Sequence, residues 1–317
     1  MYEAFYGLQK KPFTILPDPG FLYWGRVHTL AYSMLEYGLF NQAGVTVITG
    51  EIGCGKTTLL RHLLEQHADE TTIGLLSNTH EAASDLLGWV LYSFGLQYDG
   101  LSKVAKFEVF QQFLIDEYAA GRRVVLVIDE AQNLGLAVLE ELRLFTNINQ
   151  GSDVLLQLFL VGQPQLKTLL QKPSLVQFAQ RVTSDFHIKP FSREEVGGYV
   201  AARLKHAGRE DPLFLPEALD HVYEYSRGVP RLINSLCDMC LLYGSVESAE
   251  QITGELVESV LKDKSEFGVF DVDADKLAPD ENVDLPQFEV NAPGKGPALV
   301  IHDHKLARQL LGRTVKK

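Results

Sequence analysis

Short runs of β-branched and aliphatic residues at 45–49, 72–76, 124–128 and 154–161 alternate along the chain with stretches whose apolar positions recur every three or four residues. Strands separated by helical segments are joined as βαβ units, so this pattern predicts a mainly parallel sheet flanked by helices. Residues 124–128 and 155–161 are nearly all apolar, as interior strands covered on both faces must be. A helix is expected over 28–41 and a last short strand near 183–188. From 192 to 264 only helical periodicity remains, with Pro216 and Pro230 each opening a helix and Gly228 breaking the chain between them. Three or four helices are expected there.

This gives a four-part organisation. Residues 1–27, rich in proline and aromatics (Pro12, Phe13, Pro17, Pro19, Phe21, Tyr23, Trp24), form an ordered lead-in expected to pack on the core. Residues 28–190 are the α/β unit, 191–264 a small all-helical unit, and 265–317 an acidic flexible tail. Between 266 and 290 the chain has eight acidic residues and one lysine, the composition of a solvated linker. Apolar character returns at 298–311, as a frayed end or a docking motif.

Composition changes the picture only by exclusion. With 46% hydrophobic and 22% charged residues the chain reads as globular, and its formal net charge of −12 argues against a surface made for nucleic acid. No apolar run reaches the ~18 residues of a membrane helix, and the N-terminus lacks a signal-peptide stretch, so a cytoplasmic protein is expected. Three cysteines are too few for a disulfide framework; Cys237 and Cys240 fall within a helix and are expected to pack rather than ligate.

The candidate chemistry begins where the first strand ends. Gly50, Glu51, Ile52, Gly53, Cys54, Gly55, Lys56 and Thr57 match GxxxxGK[ST] at every constrained position, between an apolar strand and a helical pattern that opens at Thr58. That context turns a loop of backbone N–H groups and a helix N-terminus toward one point, which suits the phosphates of ATP. Lys56 is expected at the β- and γ-phosphates and Thr57 on Mg²⁺. Cys54 fills an unconstrained slot. The apolar run 124–128 ends in Asp129 and Glu130. Asp129 is placed to hold Mg²⁺ and Glu130 to polarise the attacking water.

Three more residues complete the candidate set. Gln163 follows the last central strand, where it can touch the γ-phosphate or remain an ordinary strand-end glutamine. Arg231, at the start of a helix in the helical unit, can reach back across the domain cleft. Arg181 precedes the 183–188 strand, and its spacing leaves a surface salt bridge and an arginine finger into a neighbouring subunit equally open.

Taken together these motifs resemble the ExeA, or general secretion pathway protein A, type of AAA+ ATPase. The likeness is carried by YEAFYGL at 2–8, KPF at 11–13, PDP at 17–19, FLY at 21–23, GEIGCGKTTLLR from Gly50, VIDEAQNL at 127–134, LVGQPQL at 160–166, QRV at 180–182 and GVPRLIN at 228–234. It implies a P-loop AAA+ core with a helical lid, Gln163 and Arg231 in the two nucleotide-sensing positions, and Arg181 as a finger acting in trans within a ring or filament of identical subunits. The secretion proteins continue into a membrane helix and a periplasmic peptidoglycan-binding part, to which residues 265–317 offer no counterpart. The expectation therefore turns to the soluble relatives of exosortase and exopolysaccharide loci, acting from the cytoplasm on envelope machinery, peripheral to the inner membrane through partners.

Two other classes share this core. One is the DNA-binding transposition regulator of the TnsC or MuB type, disfavoured by the negative charge although Arg203, Lys205, His206 and Arg209 form a small basic group. The other is a nucleotide-gated switch that scarcely hydrolyses ATP; Glu130 favours hydrolysis.

Overall fold

The computed structural model describes residues 1–14, 22–77, 85–150 and 153–267. Within these, α1 (Arg26–Phe40) leads into β1 (Val45–Gly50), followed by α2 (Lys56–Gln66), β2 (Thr71–Leu76), α3 (Leu86–Ser93), α4 (Lys103–Ala119), β3 (Arg123–Ile128) and α5 (Leu136–Phe145). A two-stranded hairpin, β4 (Asn149–Gln150) and β5 (Asp153–Val154), precedes β6 (Leu156–Gly162). Then come α6 (Pro164–Leu170), α7 (Val176–Ala179) and β7 (Val182–Ile188).

The five long strands form one parallel sheet in the order β2-β3-β6-β1-β7. The two all-apolar runs are interior strands, as their composition requires, and β1 is a third. Strand period sorts their side chains into two layers. Val45, Val47, Val124, Leu126, Ile128, Leu156, Leu158 and Leu160 face α3–α7, whereas Ile48, Val125, Val127, Phe159 and Val161 face α1 and α2. Each fully buried aliphatic contributes about 1.5–3 kcal/mol. Gln157 is one of the polar exceptions on the second face. Its amide donates to the carbonyls of Gly38 (3.1 Å) and Leu39 (3.0 Å), satisfying the end of α1.

Two expectations are corrected. The 154–161 run is divided: its first residue turns back in the hairpin, and the sheet strand starts at Leu156. The lead-in was expected on the α/β core, but Tyr2, Tyr6, Leu8 and Phe13 are buried in a third cluster, built from α8 (Arg193–His206), α9 (Pro216–Ser226), α10 (Pro230–Val246) and α11 (Gly254–Phe267). These four helices leave an apolar interior that the aromatic rings fill. Near the lead-in's end Leu22 and Val27 pack on the sheet side, and the Trp24 ring meets Tyr32 of α1 and His62 of α2. The tail beyond 267, with its 298–311 segment, lies outside the described residues. No helix among the described residues is long and apolar enough to cross a membrane.

The α9–α10 break fixes how the helical unit leaves the sheet. Gly228 adopts φ +78°, and a Cβ there would lie 1.9 Å from the Phe191 carbonyl, so only glycine fits. Phe191, just past β7, in turn donates its N–H to the Gly228 carbonyl at 2.9 Å.

Candidate nucleotide site

β1, β3 and β6 are parallel neighbours, so the loops leaving their carboxyl ends meet at one edge of the sheet. In open α/β sheets that edge is where ligands bind. The loop after β1 curls through Gly53 and Gly55, both left-handed (φ +84° and +88°), into α2. Glycine at 53 has a second cause: a Cβ would sit 2.5 Å from that of Arg231, whose side chain lies along the loop. Lys56 is buried inside the curl, its ammonium donating to the carbonyls of Gly50 (2.8 Å) and Glu51 (3.0 Å). Burial pulls its pKa below the usual lysine range, opposed by the nearby carboxylates of Glu130 and Asp129. A phosphate anion would favour the charged form again, so this lysine and an anionic ligand reinforce each other. Ile52 is exposed, and Thr58 half-buried on α2.

At the end of β3 the two acids diverge. Asp129 accepts from the Thr57 hydroxyl at 3.1 Å, which places two hard oxygen ligands side by side beside the loop, the donor set that suits Mg²⁺. Glu130 takes a left-handed backbone (φ +52°), unusual for a residue with a side chain. Its N–H donates to Asp129 Oδ1 at 2.9 Å, and its carboxylate turns toward β6. There Glu130 Oε2 accepts from Gln163 Nε2 (3.0 Å) and from Gln132 Nε2 (2.6 Å).

Gln132 was not singled out in the sequence, yet it braces the whole edge. While its amide donates to Glu130, its Oε1 accepts from the Gln163 backbone N–H at 3.0 Å, tying the end of β3 to that of β6. The signal available was its place two residues beyond Glu130. Gly162 makes room for it, since a Cβ there would lie 2.8 Å from Gln132 Oε1.

Residues 40–170 match a family of AAA domains, and the chain is 42% identical over 255 residues to general secretion pathway protein A of Aeromonas hydrophila. The chain carries an AAA+ ATPase domain of the general secretion pathway protein A type. The match covers 80% of this chain and 46% of that protein, so the chain spans about half the length of its curated relative. Among solved structures, the AAA+ fold here is similar to that of Cdc6p from Pyrobaculum aerophilum (TM-score 0.57, 19% identity, 78% of this chain and 71% of that one). It is also similar to the Aeropyrum pernix ORC2 protein (TM-score 0.56, 16% identity, 77% and 71%).

In this AAA+ frame the two arginines stand apart. Arg231 comes to the loop: its backbone N–H, at the start of α10, donates to the Gly53 carbonyl at 3.3 Å, and its side chain is exposed. Arg181 does not. Val182 pairs with Val45, the first residue of β1, so Arg181 lies a full strand from the loop, about 17–20 Å at ~3.3 Å per residue. Its guanidinium donates to the Thr146 carbonyl (3.1 Å), the Thr146 hydroxyl (3.3 Å) and Asn147 Oδ1, capping the end of α5. These partners are neutral oxygens rather than a carboxylate, and the position is out of reach of the phosphate loop of the same chain.

The remaining sequence candidates are accounted for by packing. Cys54 is buried, which pushes its thiol up to about 11 and leaves it unreactive near neutrality. Cys240 is likewise pushed to about 12, and Cys237 is raised by complete burial in the helical cluster. The small basic group is engaged at home: Arg203 lies over the Tyr199 ring, Arg209 donates to the Tyr6 carbonyl at 2.7 Å, and Lys205 pairs with Glu210.

Proposed function

We propose that this AAA+ domain binds ATP with Mg²⁺ at the joint edge of β1, β3 and β6 and hydrolyses it. The observation that carries the reading is the convergence of Lys56, the Thr57–Asp129 pair and the Gln163–Glu130 pair on one side of the sheet. Lys56 and the loop amides bind and orient the phosphates. Mg²⁺, when bound, neutralises phosphate charge, and Thr57 and Asp129 are the residues that would hold it. Glu130, with Oε2 committed to two amides, keeps Oε1 to accept a hydrogen bond from the attacking water and draw off its proton. Gln163 and Arg231 report the γ-phosphate to the helical unit, and Arg181 enters the site of a neighbouring copy.

Because Arg181 cannot reach its own loop, the reading requires a homo-oligomer with sites at subunit boundaries. The likeness to a general secretion pathway protein supports coupling of the cycle to assembly or regulation of a cell-envelope secretion or exopolysaccharide system, from the cytoplasmic side. The internal engagement of Arg203, Lys205 and Arg209 weighs against DNA as the partner. Phosphate release measured with and without Mg²⁺, over a range of protein concentrations, tests this. Turnover per subunit should need the metal and rise with concentration; metal-independent turnover, or turnover per subunit constant across all concentrations, contradicts it.

A further inference from the structure

His28, near the start of α1, is only 4% exposed, although it belongs to no catalytic pair. Its Nε2 lies 3.0 Å from the Cys54 carbonyl in the phosphate loop. A carbonyl can only accept, so Nε2 carries the proton and donates. Burial holds the imidazole below its ordinary pKa, in keeping with a neutral ring. The other nitrogen, Nδ1, is buried with no partner among the described residues, a cost that an apolar residue filling the same space would avoid. What histidine adds is therefore the Nε2 donor.

The consequence for the loop follows from peptide geometry. In a planar trans peptide the C=O and the following N–H point in opposite directions. Drawing the Cys54 carbonyl outward onto His28 turns the Gly55 N–H the other way, toward the concave side of the curl where Lys56 lies. Gly55 meets the ring closely: a Cβ on it would lie 3.4 Å from His28 Nε2, and its φ of +88° completes the turn. On its far side the ring packs against Phe191, with centroids 4.9 Å apart. Phe191 is the residue locked to Gly228 at the base of the helical unit. The neighbouring loop carbonyl, Gly53, is held from the same unit by the Arg231 N–H.

We propose that His28 is a positioning residue for nucleotide: it aims the Gly55 amide at the phosphates and, through Phe191, makes that aim depend on how the helical unit is seated. This rests on the reading of the loop as an ATP site. The test compares His28→Gln, whose amide can reach the same carbonyl, with His28→Met, which is similar in size but has no donor. A fluorescent ATP analogue would report affinity, inorganic tripolyphosphate would serve as a competitor lacking the base, and steady-state turnover would be measured alongside.

His28→Met is expected to weaken both the analogue and tripolyphosphate by about tenfold, the loss of one hydrogen bond to a buried acceptor. KM should rise more than kcat falls. His28→Gln should stay within about threefold of wild type in each measure. Equal affinities in the two variants, or a weakening of the analogue that leaves tripolyphosphate unchanged, overturns the proposal. If the unaltered protein binds neither probe, the ATP reading itself fails; if it binds both and Lys56→Ala loses both while His28→Met does not, only the role of His28 falls.

Discussion

The two ends of the parallel sheet carry polar groups of similar kinds and use them oppositely. At the carboxyl end Lys56, Thr57, Asp129, Glu130, Gln132 and Gln163 converge, with a left-handed glutamate and a buried lysine held among loop carbonyls. At the amino end Arg181 is spent on Thr146 and Asn147, quieting the last turn of α5. The first end holds groups in arrangements that an isolated fold would not favour, and the second is satisfied locally. That contrast fits the proposal of a site shared between subunits, in which an arginine that enters a neighbour needs a resting place in its own chain.

The largest effect that can break the contrast concerns Arg181. Arg181→Ala should lower turnover by about a thousandfold, the scale of a lost arginine finger, while lowering the melting temperature by only roughly 2–4 °C as the cap on α5 is lost. Mixing that variant with Glu130→Gln should restore part of the activity, since an intact Glu130 then meets an intact Arg181 across a boundary. If each variant is inactive and the mixture is too, the trans role is lost; if Arg181→Ala is fully active, the residue is only a cap for α5.

Next in size is Lys56→Ala, expected to weaken ATP by about 100-fold, read by equilibrium binding, because one charged donor is removed from the phosphates. Gln132→Ala sharpens the comparison within the carboxyl end. It should lower kcat by about tenfold with KM for ATP within about twofold, since Glu130 loses one of the two amides that fix its carboxylate. A change in KM alone would place Gln132 in nucleotide binding instead.

The smallest effect is on stability against pH. Burial depresses the pKa of His28 below 6.5 in the folded protein, so the unfolded chain binds the proton more readily. The stabilisation is complete above pH 6.5 and is lost as pH falls from there through the folded value. Melting temperatures of the wild type should therefore decline below pH 6.5, and His28→Gln should flatten the decline in part. His187, also depressed by burial, supplies a further part, and at lower pH the depressed carboxyls of Glu117 and Asp85 add to the decline. Identical slopes for the two proteins would mean that His28 does not stay neutral in the fold.

How much of this was legible in the sequence depended on whether the cause was local. Interior strands announce themselves by continuous apolar composition, and the Gly50–Thr57 segment by glycines that only a tight phosphate loop needs, so the sheet and the Lys56, Thr57, Asp129 and Glu130 positions could be read directly. The place of Arg181 follows from strand order, β7 beside β1, which periodicity does not encode. The aromatics of the lead-in looked fit for any core, and only the tertiary packing assigns them to the helical unit. His28 in an amphipathic helix carries no mark that separates it from a packing residue, and the bracing by Gln132 appears only when β3 and β6 lie side by side.

The central claim, that Glu130 at the carboxyl end of the sheet activates water for ATP hydrolysis, is tested most directly by measuring bound ATP and single-turnover phosphate release in Glu130→Gln. A stoichiometric ATP complex with release slowed by at least about 100-fold is expected, the scale of general-base catalysis. Release at the wild-type rate would contradict it.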